Sequence, residues 1–185
     1  MRSSRPQRKS ALSLPRDSGL TRAAILAAAE KEFAQHGLAA ARTENIAALS
    51  GLTKGMIYHH VESKEALYEA VLEQVFAPIL VSLQQFAAPD VPPRLALEQI
   101  IQRILELTSR NPGVPAMLFF ETIQNHGAFY EKIGFPSVYH VLTEILERGK
   151  RQGVFRPIDS WHTAVNIIGA CCFYYCAAPR LDNIF

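Results

Sequence analysis

The chain has 185 residues, 49% of them hydrophobic and 19% charged, enough for one compact domain or two small ones sharing a core. That balance excludes a chain disordered throughout. The formal net charge of +2 hides an asymmetry: residues 1–64 carry ten Lys/Arg against five Asp/Glu, and residues 65–185 carry nine against twelve. A basic first third on an acidic remainder points to one part that meets polyanions and one that does not.

Residues 1–19 read as a flexible basic arm, with Arg2, Arg5, Arg8, Lys9 and Arg16 among Ser and Pro and no apolar run of a secretory signal. Thr21 caps a first helix over about 22–36, whose apolar stripe is Ile25, Leu26, Ala29 and Phe33 and whose stop is Gly37. Thr43 is read as the N-cap of a second helix, about 44–50, with Glu44 at its positive end and Ile46, Ala47 and Leu49 turned inward. Gly51 ends it, and Thr53 caps a third helix of about 54–60. Ser63 opens a long helix, about 64–86, with Leu67, Val71, Leu72, Val75 and Ile79 on one face. Beyond the break at Asp90–Pro93 come helices of about 94–110, 114–125, 136–152 and 158–178. No stretch shows the alternation of a half-buried strand. The expected fold is all-α: a small three-helix head, residues 20–66, joined through the long helix to a helical body, residues 67–185. The longest apolar run, Thr163–Ala178, has 16 residues, short of the roughly 20 needed to span a bilayer, and reads as a buried helix. No membrane partner is expected.

The stretch Thr43–Lys64 places two short helices on either side of Ser50-Gly51-Leu52. A helix-turn-helix needs a small residue where its helices cross, here Ala47, and Gly where the turn takes a left-handed conformation. Leu52 and Ile57 are spaced to fill the angle between the helices. Lys54, Gly55, Tyr58 and His59 are left on the outer face of the third helix. A cation, a small residue and two aromatic polar tips suit a DNA groove. On spacing alone they equally suit the solvated face of any small helical domain.

Thr21–Gln74 resembles the DNA-binding domain of the tetracycline-repressor (TetR) family of bacterial transcription regulators. The resemblance rests on Ile25-Leu26-Ala27-Ala28-Ala29 running to Phe33-Ala34-Gln35-His36-Gly37, on Thr43-Glu44-Asn45-Ile46-Ala47, on Thr53-Lys54-Gly55-Met56-Ile57-Tyr58-His59-His60, and on Ser63-Lys64-Glu65-Ala66-Leu67. Val61 departs from the Phe usual in the family. Carried over residue by residue, the likeness implies that Lys54, Gly55, Tyr58 and His59 face an operator, with Thr53 at the start of the same helix. Thr43, Tyr58 and Lys64 would hold phosphates, with Arg42 beside them, and His60 would brace the head from inside.

The resemblance also implies a small-molecule effector in the body, and Phe119, Phe120, Tyr130, Tyr139 and Trp161, with Glu121, Gln124, His126 and His162 as polar groups, are its candidate lining. Such a lining favours a hydrophobic or aromatic, weakly polar effector. The Thr163–Ala178 helix is apolar nearly all round, so one side is expected to pair with a two-fold copy through Val165, Ile168, Cys172 and Tyr175, alongside Val141 and Ile145 of the preceding helix. Cys171, Cys172 and Cys176 lack a Cys-x-x-Cys and a His at ligand spacing, so no metal and no cofactor is expected. Odd, clustered cysteines fit a reducing, intracellular compartment, and the resemblance implies the bacterial cytoplasm. The expectation is a homodimeric, ligand-released repressor on a palindromic double-stranded DNA operator. A helical ligand-binding or scaffold protein without an operator, or a small helical enzyme, are the alternatives, although nucleotide-loop, zinc-protease and serine-hydrolase signatures are missing from the sequence.

Overall fold

The computed structural model describes residues 18–181, which form eight α-helices and no strand. They are α1 (Ser18–Ala40), α2 (Thr43–Ser50), α3 (Lys54–His60), α4 (Lys64–Gln84), α5 (Pro93–Arg110), α6 (Gly113–Gln124), α7 (Pro136–Arg151) and α8 (Ser160–Leu181). The expected basic arm lies outside the described residues, apart from Ser18 and Gly19, which already belong to α1. Gly37 interrupts α1 at φ 67°, ψ −179°. That conformation is open almost solely to glycine, so the residue bends the chain where a side chain would be strained.

The apolar stripes read from the sequence meet in one continuous core. Ile25, Leu26, Ala29 and Phe33 of α1 close on Ile46 and Ala47 of α2, Ile57 of α3, and Leu67, Tyr68, Val71 and Leu72 of α4. The core continues through Phe76 into Ala96 and Ile100 of α5, Met117 of α6, Leu142 and Ile145 of α7, and Ala164 of α8. By length and composition Lys64–Leu83 could cross a membrane, yet its Leu67, Val71, Leu72 and Phe76 are core residues of this fold.

The head meets the body twice. One link is α4, as expected. The other is the seam between α1 and α6. There Asn111 Nδ2 donates to Glu30 Oε1, and a Cβ on Gly113 would stand 3.0 Å from Cβ of Ala34. A Cβ on Gly37 would stand 2.2 Å from Gln124 Oε1 and 3.0 Å from Phe120. The glycine that bends α1 is therefore also the one that lets α6 approach.

In α8 the two sides differ from the sequence expectation. Ala164, Ile168, Cys171 and Cys172 point into the protomer, while Trp161, Val165, Phe173 and Tyr174 lie outside. Ile168 and Cys172, and Ile145 of α7, are therefore core residues and leave the expected dimer surface. Val141 and Tyr175 are half-buried, and Val165 is exposed. A helix apolar on every side offers no periodicity from which to choose the inward face.

Candidate nucleic-acid interface and effector sites

The α2–α3 turn is set by Gly51, which sits in the left-handed region at φ 69°, ψ 20° and donates its N–H to Ala47 O and Ala48 O. Leu52 follows, donating its N–H to Ala47 O at 3.0 Å and packing against the core. Thr53 then caps α3: its Oγ1 accepts the Met56 N–H at 3.3 Å. With Ile57 fully buried, the opposite side of α3 is turned outward, and Thr53, Lys54, Gly55, Tyr58 and His59 are all exposed on it. Around Gly55 a Cβ would find only Thr53 Oγ1, at 4.0 Å, so no packing inside the protein calls for glycine there. His60 is half-buried, its ring 5.6 Å from that of His59 in an edge-on contact.

The flanks of this face are held from outside the motif. Arg42, exposed and extended at φ −116°, ψ 126°, occupies the N-cap of α2, and no side chain of its own turn caps that helix. Thr43 is thus not the cap, and its side chain is buried in the head, which removes it from the phosphate-facing set. The capping acceptor is Glu32 of α1, whose Oε1 takes the Arg42 N–H at 2.9 Å and Asn45 Nδ2 at 3.1 Å. Lys64 is half-buried and donates Nζ to Ala39 O at 3.3 Å and Ala41 O at 3.2 Å. An ammonium has three donors, so two of those expected for phosphate are committed to tying the end of α1 to the start of α4. Across the top of the motif, Lys54 Nζ lies 2.5 Å from Glu44 Oε1. Their hydrogen bond holds the Glu44 carboxyl below its ordinary range and pushes the Lys54 ammonium up.

In the body the expected effector residues divide. Phe119, Phe120 and Gln124 line an open groove of about 530 Å3 between α1, α6 and α8, shared with Ala34, Gln35, Ile123 and Phe173. The remaining six do not line it. Glu121 is fully buried as a clamp: Oε1 accepts the Phe129 N–H at 2.8 Å and Oε2 accepts Asn125 Nδ2 at 2.6 Å. His126 adopts φ 54° in the turn that Glu121 holds. Tyr130 donates its hydroxyl to Leu118 O at 3.0 Å, and its ring stacks 4.8 Å from Phe135, which meets Tyr139 at 5.4 Å. Tyr139 in turn faces the exposed Trp161, with ring centres 5.5 Å apart, and burial pushes its hydroxyl up to about 12. His162 lies in the first turn of α8, where its N–H donates to the capping Asp159 Oδ1 at 2.9 Å. The interior proper holds a separate space of only about 30 Å3 among Phe76, Leu83, Ile104, Leu118, Phe135 and Ile168, with no exposed polar lining. Burial raises the Cys171 thiol and takes Cys172 up to about 12, which makes them small apolar fillers. Among the described residues no group of His, Cys, Asp and Glu could hold a metal ion.

Residues 93–185 match the sequence model described as "Tetracyclin repressor-like, C-terminal domain", and residues 25–71 match "Bacterial regulatory proteins, tetR family". The chain belongs to the TetR family. It is similar to the HTH-type transcriptional regulator RutR of Escherichia coli strain K12, 28% identical over 163 residues, which cover 87% of this chain and 76% of RutR. It is similar as well to the HTH-type transcriptional repressor NicS of Pseudomonas putida, 29% identical over 159 residues, covering 84% of this chain and 75% of NicS. A Clostridium perfringens protein named as a regulator of fatty acid metabolism shares the fold, with a TM-score of 0.75, 20% identity, and coverage of 86% of this chain and 87% of that one. This TetR-family chain is a DNA-binding transcriptional regulator.

Two functional supports of this TetR-family head and body escape a reading by motif. Glu32 sits ten residues before the N–H it caps, and Glu121 sits eight before its own. Either glutamate reads locally as one more helical acid. The available signal was position: Glu32 lies beside Phe33 in the inward stripe, and Glu121 follows the apolar Met117–Phe120 run, so both carboxylates had to be buried with partners.

Proposed function

We propose that the protein represses transcription as a homodimer and is released by a small apolar or aromatic effector. In this reading α3 enters the major groove with Lys54, Gly55, Tyr58 and His59, and Arg42, Thr53 and the third donor of Lys64 meet phosphates. The observation that carries it is the outward face of α3, where four side chains and a glycine with open space above it stand opposite a fully buried Ile57. The two protomers pair through the outer side of α8, where Val165, Phe173 and Tyr174 leave apolar surface of the kind that soluble monomers rarely leave open. The division at about residue 66 is functional rather than mechanical, because α1 rests on α6 as well as on α4. The protein acts in the bacterial cytoplasm, on the nucleoid.

The effector favours a body state that sets the two α3 helices at the wrong separation, and by linkage DNA weakens effector binding by the same factor. The α1–α6 seam supplies a second path for that change besides α4. The reading is tested by measuring binding to duplexes selected from a random pool, over a range of salt. A log–log slope near −0.9 per neutralised phosphate is expected, and Lys54→Ala is expected to change which sequences are selected. Unchanged selection by Lys54→Ala removes α3 from base reading. In sedimentation, Phe173→Asp is expected to yield monomers; a persisting dimer places the interface elsewhere.

A further inference from the structure

The DNA-facing surface carries one acid where phosphate repulsion argues against it. Glu44 stands exposed in the first turn of α2, next to Arg42, and reaches across to α3, where its Oε1 lies 2.5 Å from Lys54 Nζ. An acid in the first turn of a helix has an ordinary purpose, complementing the positive end of the helix dipole. That purpose needs no bond to the neighbouring helix: at this end Glu32 takes the Arg42 N–H, and the Glu44 carboxylate is held by its own backbone N–H as well as by Lys54. Exposed ion pairs add little to stability, so the pair is weakly explained by the fold. Its consequence for binding is larger. While Glu44 holds Lys54, the outward face of α3 has lost its one lysine to an internal partner.

We infer that Glu44 restrains DNA binding by occupying Lys54, so that the ammonium meets DNA only where a base sequence offers it a better partner than the carboxylate. The inference rests on the placement of α3 in the DNA groove. On arbitrary DNA, a free Lys54 would find phosphates wherever the head landed, because phosphate contacts carry no sequence information. Held by Glu44, it gives up the pair only for an arrangement that rewards it, such as the O6 and N7 acceptors of guanine, which a lysine reads in the major groove. The acid therefore lowers affinity for all DNA, by the phosphate contact forgone where the pair persists and by the cost of the pair where it is given up.

The experiment compares the full chain with Glu44→Gln, Lys54→Gln and the double variant. Each is titrated against a random-sequence duplex and against a duplex selected from a random pool by the unaltered protein, between 50 and 200 mM salt. Glu44→Gln is expected to tighten binding to the random duplex and to steepen its salt slope by about 0.9 per engaged protomer, or roughly a threefold greater loss of affinity across that salt range. The selected duplex is expected to gain at least as much, because there the cost of giving up the pair is no longer met. In the Lys54→Gln background, Glu44→Gln is expected to change the slope little. An equal effect of Glu44→Gln with and without Lys54 overturns the proposal and leaves Glu44 a general negative charge. Weaker binding of the selected duplex alone also overturns it and makes Glu44 a reader of a base donor. If Lys54→Gln alone leaves both slopes and the ratio of the two affinities unchanged, the placement of Lys54 on DNA is what fails. Thermal melts of each variant report whether the head remains folded.

Discussion

The head and the body each bury one glutamate, and each glutamate makes nearly the same bonds. Glu32 accepts a backbone N–H from Arg42 and the side-chain amide of Asn45; Glu121 accepts a backbone N–H from Phe129 and the side-chain amide of Asn125. Among the described residues neither has a lysine or arginine partner, and Glu32 has the His36 ring nitrogen at 4.0 Å. The difference lies in what the clamped segment does next. The segment held by Glu32 leads directly into α2 and α3, so that carboxylate sets the direction in which the outward face of α3 points. The segment held by Glu121 turns back on α4, where Phe129 meets Tyr68 edge-on at 5.3 Å and Tyr68 meets Phe33 of the head at 4.9 Å. One clamp aims the head directly. The other fixes the surface on which the head rests.

The largest expected effect is at the body clamp. Glu121→Leu leaves the Phe129 N–H and the Asn125 amide without acceptors in the interior, which is expected to cost about 3 kcal/mol. For a chain of this size that corresponds to a fall in Tm of roughly 6–12 °C, readable by circular dichroism. A loss below about 1 kcal/mol would show that water replaces the carboxylate. Next is Glu32→Leu, expected to cost about 2 kcal/mol for the same reason. It should also weaken DNA binding at temperatures where the protein is still fully folded, although Glu32 is buried beneath the helix-turn-helix. Equal DNA affinity in folded Glu32→Leu would break the distinction between the two clamps.

The smallest effect separates the regions by pH. Burial raises the titrations of Tyr130, Tyr139, Cys171 and Cys172 in the body, and of Tyr68 where the body meets the head. Each of these groups is neutral when protonated, so the folded chain keeps protons that the unfolded chain releases. Their contribution to stability is whole below about pH 9, where unfolded thiols begin to ionise, and is lost as pH rises toward the folded values near 12 for Tyr139 and Cys172. Melting is expected several degrees lower at pH 11 than at pH 8. In the native protein at pH 8, iodoacetamide is expected to label the half-buried Cys176 ahead of Cys171 and Cys172. Comparable labelling of all three would mean that α8 opens readily.

What could be read from the sequence follows how local each cause is. Gly37, Gly51, Thr53 and Ser63 announce their turns because the cause is the residue itself, a left-handed φ or a side-chain oxygen three residues before the N–H it accepts. Leu52 and Ile57 were legible because a helix-turn-helix leaves one angle to fill. Thr43 misleads as a cap because the acceptor that serves α2 comes from another helix. In the body, composition identifies aromatic residues without saying which way they face. Tyr139 and Trp161 belong to a chain of stacked rings running toward the surface, and only tertiary packing decides that Val165 faces out and Ile168 faces in.

Gly55 carries a consequence for how such a head changes over time. Alanine there would meet no protein atom closer than 4.0 Å and would gain the helix propensity that glycine lacks, roughly 0.5–1 kcal/mol. Stability alone would favour alanine at this position, so the glycine serves the open space on the outer face of α3 rather than the packing of the head. Positions of this kind can be exchanged without unsettling the scaffold. A lineage or an engineer seeking a new target sequence would find the least obstructed route through residue 55, and little through the neighbouring Ile57, whose side chain the core has already claimed.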